Sequence, residues 1–192
     1  MTIKASAVSL CVLGVLCGDA AAQTKQPSRL DIGRPATPDD IAALDVDVRP
    51  DGTGLPPGSG TAAEGEQIYA SRCATCHGKT GREGPNDRLV GRLPNDAFPF
   101  ARDPTIPHTI GNYWPYATTL FDYIRRAMPP DAPGSLKDRE VYGLVAYLLA
   151  MNQIVPADAV IDATTLPKVA MPARDRFVPS ERGGPPKAAK PK

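Results

Sequence analysis

The sequence predicts an all-α protein, a small helical core carried between long irregular arms. Three observations point there. Apolar residues recur at helical spacing, most clearly where Val141, Leu144, Val145, Leu148 and Leu149 form one stripe. Gly and Pro, at 17 and 22 of 192 residues, exceed average usage without reaching a disordered composition. Irregular segments must therefore lie across the core. Finally, Cys73-Ala74-Thr75-Cys76-His77 is the C-x-x-C-H pattern of covalent c-type haem attachment. A covalent haem gives a small core a large apolar body to pack around.

In chain order, residues 1–22 read as a secretory signal peptide. Lys4 supplies the positive start, residues 5–17 are apolar, and Ala20-Ala21-Ala22 offers small residues for cleavage after Ala22. The apolar stretch is too short for a membrane span. Leu16, before Cys17, is not the small residue a lipoprotein site prefers. No other stretch approaches the roughly 20 apolar residues that cross a bilayer. The expected location is the periplasm. Residues 23–60 form an N-terminal arm rich in Pro, Gly and Asp. A short helix at residues 38–44 and turn chemistry at residues 51–58 are its only local order.

Residues 61–152 carry the core. The first helix spans residues 61–72, with Thr61 and Glu64 as a capping box. Gly65 costs that helix about 1 kcal/mol relative to alanine. Either it is merely tolerated, or another helix crosses there; the expected partner is the last helix. The second helix spans residues 117–128, with Leu120, Phe121 and Ile124 inward. The third spans residues 135–151, opened by Ser135 and Asp138 and flanked by Tyr142 and Tyr147. Residues 153–179 lack periodicity and contain Pro156, Pro167, Pro172 and Pro179, so they are expected to wrap the surface. Residues 180–192 are a Pro/Gly/Lys-rich tail expected to be disordered.

With Cys11 and Cys17 in the signal peptide, Cys73 and Cys76 are the cysteine pair of the mature chain. A disulfide is one use of such a pair. Zinc needs about four ligands, and His108 is the only other histidine. A thioredoxin-like pair expects a βαβ context that the sequence lacks. Haem uses all three residues of the motif: two thioethers, and His77 as proximal ligand. Met128, Met151, Met171 and His108 are the candidates for the other axial position. Met128 is preferred, because Pro129-Pro130 presents it from a stiff turn at a helix end. Met151 reads as core and His108 as a loop histidine. His/Met ligation raises the reduction potential and leaves the iron closed, which favours electron transfer over oxygen chemistry.

The Pro85 carbonyl is expected to accept from the second ring nitrogen of His77, with an ordinary Gly84-Pro85 turn as the alternative. Leu89 and Phe98 are expected on the ring. The Tyr113 hydroxyl and Trp114 Nε1–H either bond haem propionates or are aromatic core. Arg125 and Arg126 are propionate or docking charges, or exposed helix arginines. A net charge of +1 gives no argument for nucleic acid or strong membrane attraction.

As a set, Gly65-x3-Tyr69, CATCH, the Gly-Pro loop, Met128-Pro129 and the aromatic last helix resemble class I cytochromes c. That resemblance implies three to five helices around one covalent haem. A closer similarity, carried by residues 33–38, 49–60 and 109–129 and by Leu166-Pro167, is to the SoxD-type cytochrome subunit. That family serves sulfur oxidation beside a molybdopterin subunit of the sulfite oxidase type. The match at Ala127-Met128-Pro129 implies Met128 as distal ligand. Some SoxD proteins carry a second haem domain; this chain has one C-x-x-C-H, so a single-haem relative is expected, nearer a sulfite dehydrogenase cytochrome subunit. The implied role is electron transfer from the molybdenum partner to a soluble carrier cytochrome c. A free respiratory carrier is the alternative, and an open-iron haem enzyme or gas sensor a third.

Overall fold

The last helix organises everything else, because its stripe is too wide to leave exposed. In the computed structural model, which describes residues 32–177, this helix is α5 (Asp138–Met151) and Val141, Tyr142, Val145, Ala146 and Leu149 are completely buried. Before it come α1 (Pro38–Leu44), α2 (Ala62–Arg72), the one-turn α3 (Ala74–His77) and α4 (Ala117–Ala127). The signal peptide, its cleavage site and residues 180–192 lie outside the described residues. Among the described residues no helix is long and apolar enough to cross a membrane.

The chain divides into two units, at Ile41 and Ala42. In the first, the Asp40 carboxylate pairs with Arg34 and accepts from the Thr37 N–H at 2.8 Å. The second carries the core. There α2 is capped as expected: the Thr61 hydroxyl accepts from the Glu64 N–H, and the Glu64 carboxylate accepts from the Thr61 N–H at 2.9 Å.

Helices α2 and α5 cross where Gly65 meets Gly143. A Cβ built on Gly65 would lie 1.9 Å from the Gly143 carbonyl oxygen. Only hydrogen fits in that space, so Gly65 is the crossing point rather than a tolerated glycine.

Several expectations change. Helix α5 starts at Asp138, three residues later than Ser135. The Glu140 carboxylate takes the Lys137 N–H at 2.7 Å, while the Ser135 hydroxyl is used by Arg72 at 2.9 Å. Tyr142 lies at the centre of the stripe, and its hydroxyl donates to the Pro56 carbonyl at 2.8 Å. Two short strands, β1 (Ser59–Thr61) and β2 (Val160–Asp162), pair antiparallel with Gly60 opposite Ile161. Ile161, Leu166 and Met171 are buried in the main core, so the trailing segment supplies core as well as cover.

Arg125 and Arg126 are structural. Arg125 donates to the Val46 carbonyl at 3.2 Å and pairs with Asp138 at 2.9 Å. Arg126 pairs with the nearly buried Asp122, whose carboxylate also accepts from the Val48 N–H at 2.9 Å. These contacts clasp the preceding arm to α4.

Candidate haem site

Helix α3 is one turn long because CATCH lies between two breaks. Cys73 ends α2 with non-helical backbone, and Gly78 leaves α3 at φ +81°, open to glycine at little cost. The Tyr69 hydroxyl donates to the Gly78 carbonyl at 2.8 Å and anchors the exit. Burial pushes this phenol up to about 12. The chain then folds back on itself. A Cβ on Gly84 would lie 2.2 Å from the Cys76 carbonyl oxygen, so the loop touches the rear of the motif.

That return brings a carbonyl to His77, from Asp87 rather than Pro85: His77 Nδ1 lies 2.8 Å from the Asp87 oxygen. Pro85 sits too early, because the Asn86 N–H is first paired to the Cys76 carbonyl at 3.0 Å. A carbonyl only accepts, so Nδ1 carries the proton and Nε2 keeps a free lone pair.

His77 lines a cavity of about 620 Å³, within the roughly 300–1,000 Å³ of cofactor sites. Cys73, Cys76 and Met128 line it too. Met128 is the C-cap of α4, extended at φ −118° and ψ 144°, because Pro129 ends the helix. Ile110, Leu120, Ile124, Leu144 and Leu148 supply apolar walls. Both cysteines are free and half-buried, and burial pushes the Cys73 thiol up to about 11. Two thiols, an imidazole lone pair and a thioether around one apolar cavity are a donor set that fits a haem c.

Other expected residues divide. Leu89 and Trp114 line the cavity. Tyr113 does not; it stacks on His108 with centroids 4.1 Å apart. Phe98 is buried in the same aromatic cluster, 5.5 Å from His108, rather than on the cavity. Met151 is half-buried against the core and Met171 is buried in it.

Sequence reasoning missed Asn152, which is 2% exposed. Its Oδ1 accepts from the Gly91 N–H at 3.0 Å, and its Nδ2 donates to the Leu89 and Leu148 carbonyls at 3.2 and 2.8 Å. It staples the loop carrying Leu89 to the end of α5. Nothing local marks this; the only signal was an amide directly after the apolar stripe. Asn152→Ala leaves buried polar groups unpaired and is expected to cost about 2–3 kcal/mol in denaturant unfolding.

Two carboxylates outside the cavity brace the fold, Glu64 at the start of α2 and Glu83 in the loop after the motif. Hydrogen bonds from the Thr80 hydroxyl and N–H hold Glu83 down at about 2. The Thr61 N–H, then Arg139, do the same for Glu64. A depressed carboxylate stabilises the fold above its ordinary range and loses that contribution as it protonates. Stability is therefore expected to fall between about pH 4.5 and about pH 2. Acid titrations of unfolding for Glu83→Gln and Glu64→Gln should each show a shallower decline than the parent.

Comparisons with known proteins agree with this geometry. The family described as "Cytochrome C oxidase, cbb3-type, subunit III" matches residues 60–148. A search of curated proteins found no match. A chain in the crystal structure of the sulfane dehydrogenase SoxCD from Paracoccus pantotrophus is 38% identical. The alignment covers 80% of this chain and 74% of that one, with a TM-score of 0.69. The chain thus belongs to the class I cytochromes c of the SoxD type, electron-transfer proteins whose domain implies haem c.

Proposed function

We propose that this protein is a periplasmic single-haem cytochrome subunit. It takes electrons one at a time from a molybdenum-cofactor subunit of the sulfite oxidase type, which oxidises sulfite or a sulfane. It passes them to a soluble carrier cytochrome c. The observation that carries this reading is 38% identity to a SoxCD chain over 80% of this one. The site chemistry is consistent with it. When bound, the haem supplies reversible one-electron exchange at iron. Cys73 and Cys76 would tether it, and the His77 Nε2 lone pair and the Met128 thioether would be its protein ligands. The aliphatic walls exclude water and disfavour the more charged oxidised state, which raises the potential. With His77 and Met128 as its ligands the iron would hold no site for substrate, so substrate chemistry would belong to the partner.

The test is co-expression with a molybdopterin sulfite-oxidase-like subunit, followed by gel filtration and a reduction assay. The expected result is co-elution, with haem absorbance shifting to the reduced form on adding sulfite or a sulfane donor. Separate elution with no substrate-dependent reduction would overturn the reading in favour of a free carrier.

A further inference from the structure

We propose that Asn152 is a positioning residue for the His77 imidazole: by fixing the loop that carries the Asp87 carbonyl, it sets the strength of the His77 Nδ1–H bond and, through that bond, the reduction potential. This rests on the haem reading of the site.

His77 meets its acceptor because residues 87–91 are held against it. The Asp87 carbonyl oxygen lies 2.8 Å from Nδ1. Two residues on, the Leu89 carbonyl accepts from Asn152 Nδ2 at 3.2 Å, and the Gly91 N–H donates to Asn152 Oδ1 at 3.0 Å. One side chain thus grips the backbone on both sides of Val90. A third bond, from Nδ2 to the Leu148 carbonyl at 2.8 Å, ties that grip to the end of α5. Leu89 and Leu148 both line the cavity. The Gly91 N–H can only donate and the two carbonyls can only accept, so the amide has one orientation. It has no room to turn either: a Cβ on Gly111 would lie 2.5 Å from Oδ1.

Other bonds to residues 87–91 come from irregular segments. The Leu89 and Val90 N–H groups donate to the Gly81 carbonyl at 2.9 and 3.1 Å. Gly81 lies in the same loop after the motif, so this pair holds the loop to itself. The Ile110 N–H and the Thr109 hydroxyl donate to the Leu89 and Gly91 carbonyls. Asn152 differs in being the C-cap of α5, the helix with the most completely buried side chains. It ties the Asp87 loop to the rigid core rather than to another loop.

A carbonyl that accepts strongly from one ring nitrogen fixes the ring plane and makes the other nitrogen a better donor to a metal. Better donation favours the oxidised iron. A well-held Asp87 carbonyl therefore lowers the potential and opposes the effect of the aliphatic walls.

Asn152→Ser separates the two jobs of the amide. A serine hydroxyl reaches back one turn to the Leu148 carbonyl, but it is too short for Leu89 and Gly91. Two quantities are read on the haem-loaded protein: the midpoint potential, and exchange of the His77 Nδ1 proton with water by NMR of the reduced form. In the variant the proton is expected to exchange about tenfold faster or more. The midpoint is expected to rise, with a tenfold change in the ferrous-to-ferric ratio corresponding to about 59 mV for one electron. Gly143→Ala, strained at the helix crossing instead, is expected to leave both quantities at the parent values. Parent values in Asn152→Ser, or an equal change in Gly143→Ala, overturn the positioning role while leaving the haem site standing. The parent alone gives a second reading that needs no variant to fold. The His77 Nδ1 proton and the Gly91 N–H are expected to exchange through one shared opening, with the same denaturant dependence; separate openings overturn the role. A haemochrome assay showing no covalent haem in the parent overturns the site and this inference together.

Discussion

Met128→Ala is expected to convert a closed iron into an open one. The ferrous variant should bind carbon monoxide rapidly, where the parent binds it slowly or not at all. The far-red band of the Met-to-ferric-iron bond should vanish. The midpoint potential should fall by about 0.1 V or more, part of the roughly 0.8 V that axial ligands span. The physical reason is position. Met128 caps α4, Pro129 forbids another turn, and the side chain lines the cavity also lined by His77. Neither Met151 nor Met171 lines that cavity, so neither is placed to replace it. A variant that kept the far-red band and excluded carbon monoxide would remove Met128 as the ligand.

The second large effect is expected at the helix crossing. Alanine at Gly65 would gain about 1 kcal/mol of helix propensity. Its Cβ would lie 1.9 Å from the Gly143 carbonyl oxygen and 2.4 Å from the carbonyl carbon. These are backbone atoms of the most buried helix and cannot swing aside. The helices must separate, at the upper end of overpacking costs, about 3 kcal/mol. That corresponds to a Tm lower by roughly 10 °C. Gly143→Ala should be milder, because the nearest atom to its Cβ, the Gly65 nitrogen, is 3.1 Å away. Calorimetry that ranked the two the other way round would disprove this account of the crossing.

Both positions were legible because each carries a local signature. CATCH is a contiguous motif, Met128 stands before two prolines, and Gly65 interrupts an otherwise good helix. The stripe on α5 announced the core for the same reason. Asn152 and Asp122 were not legible as brace residues. Asn152 acts on Gly91 and Leu89, and Asp122 acts on Val48, across long stretches of chain. The Pro85 reading failed on a register of two residues, set by how the Asn86 N–H pairs behind Cys76. For Tyr113 the structure shows the aromatic-packing alternative, against Phe98 and Phe177 and off the cavity lining.

By itself the sequence determined the helices and singled out the cysteine pair, the imidazole and the thioether that line one cavity, since each depends on residues within a few positions of one another. Only the tertiary structure decided which carbonyl orients His77, which amide staples the loop beside it, and which aromatic residue faces the cavity. Those choices depend on how separate segments meet. Hydrogen bonds across such contacts are selected by packing distance, which local spacing does not encode.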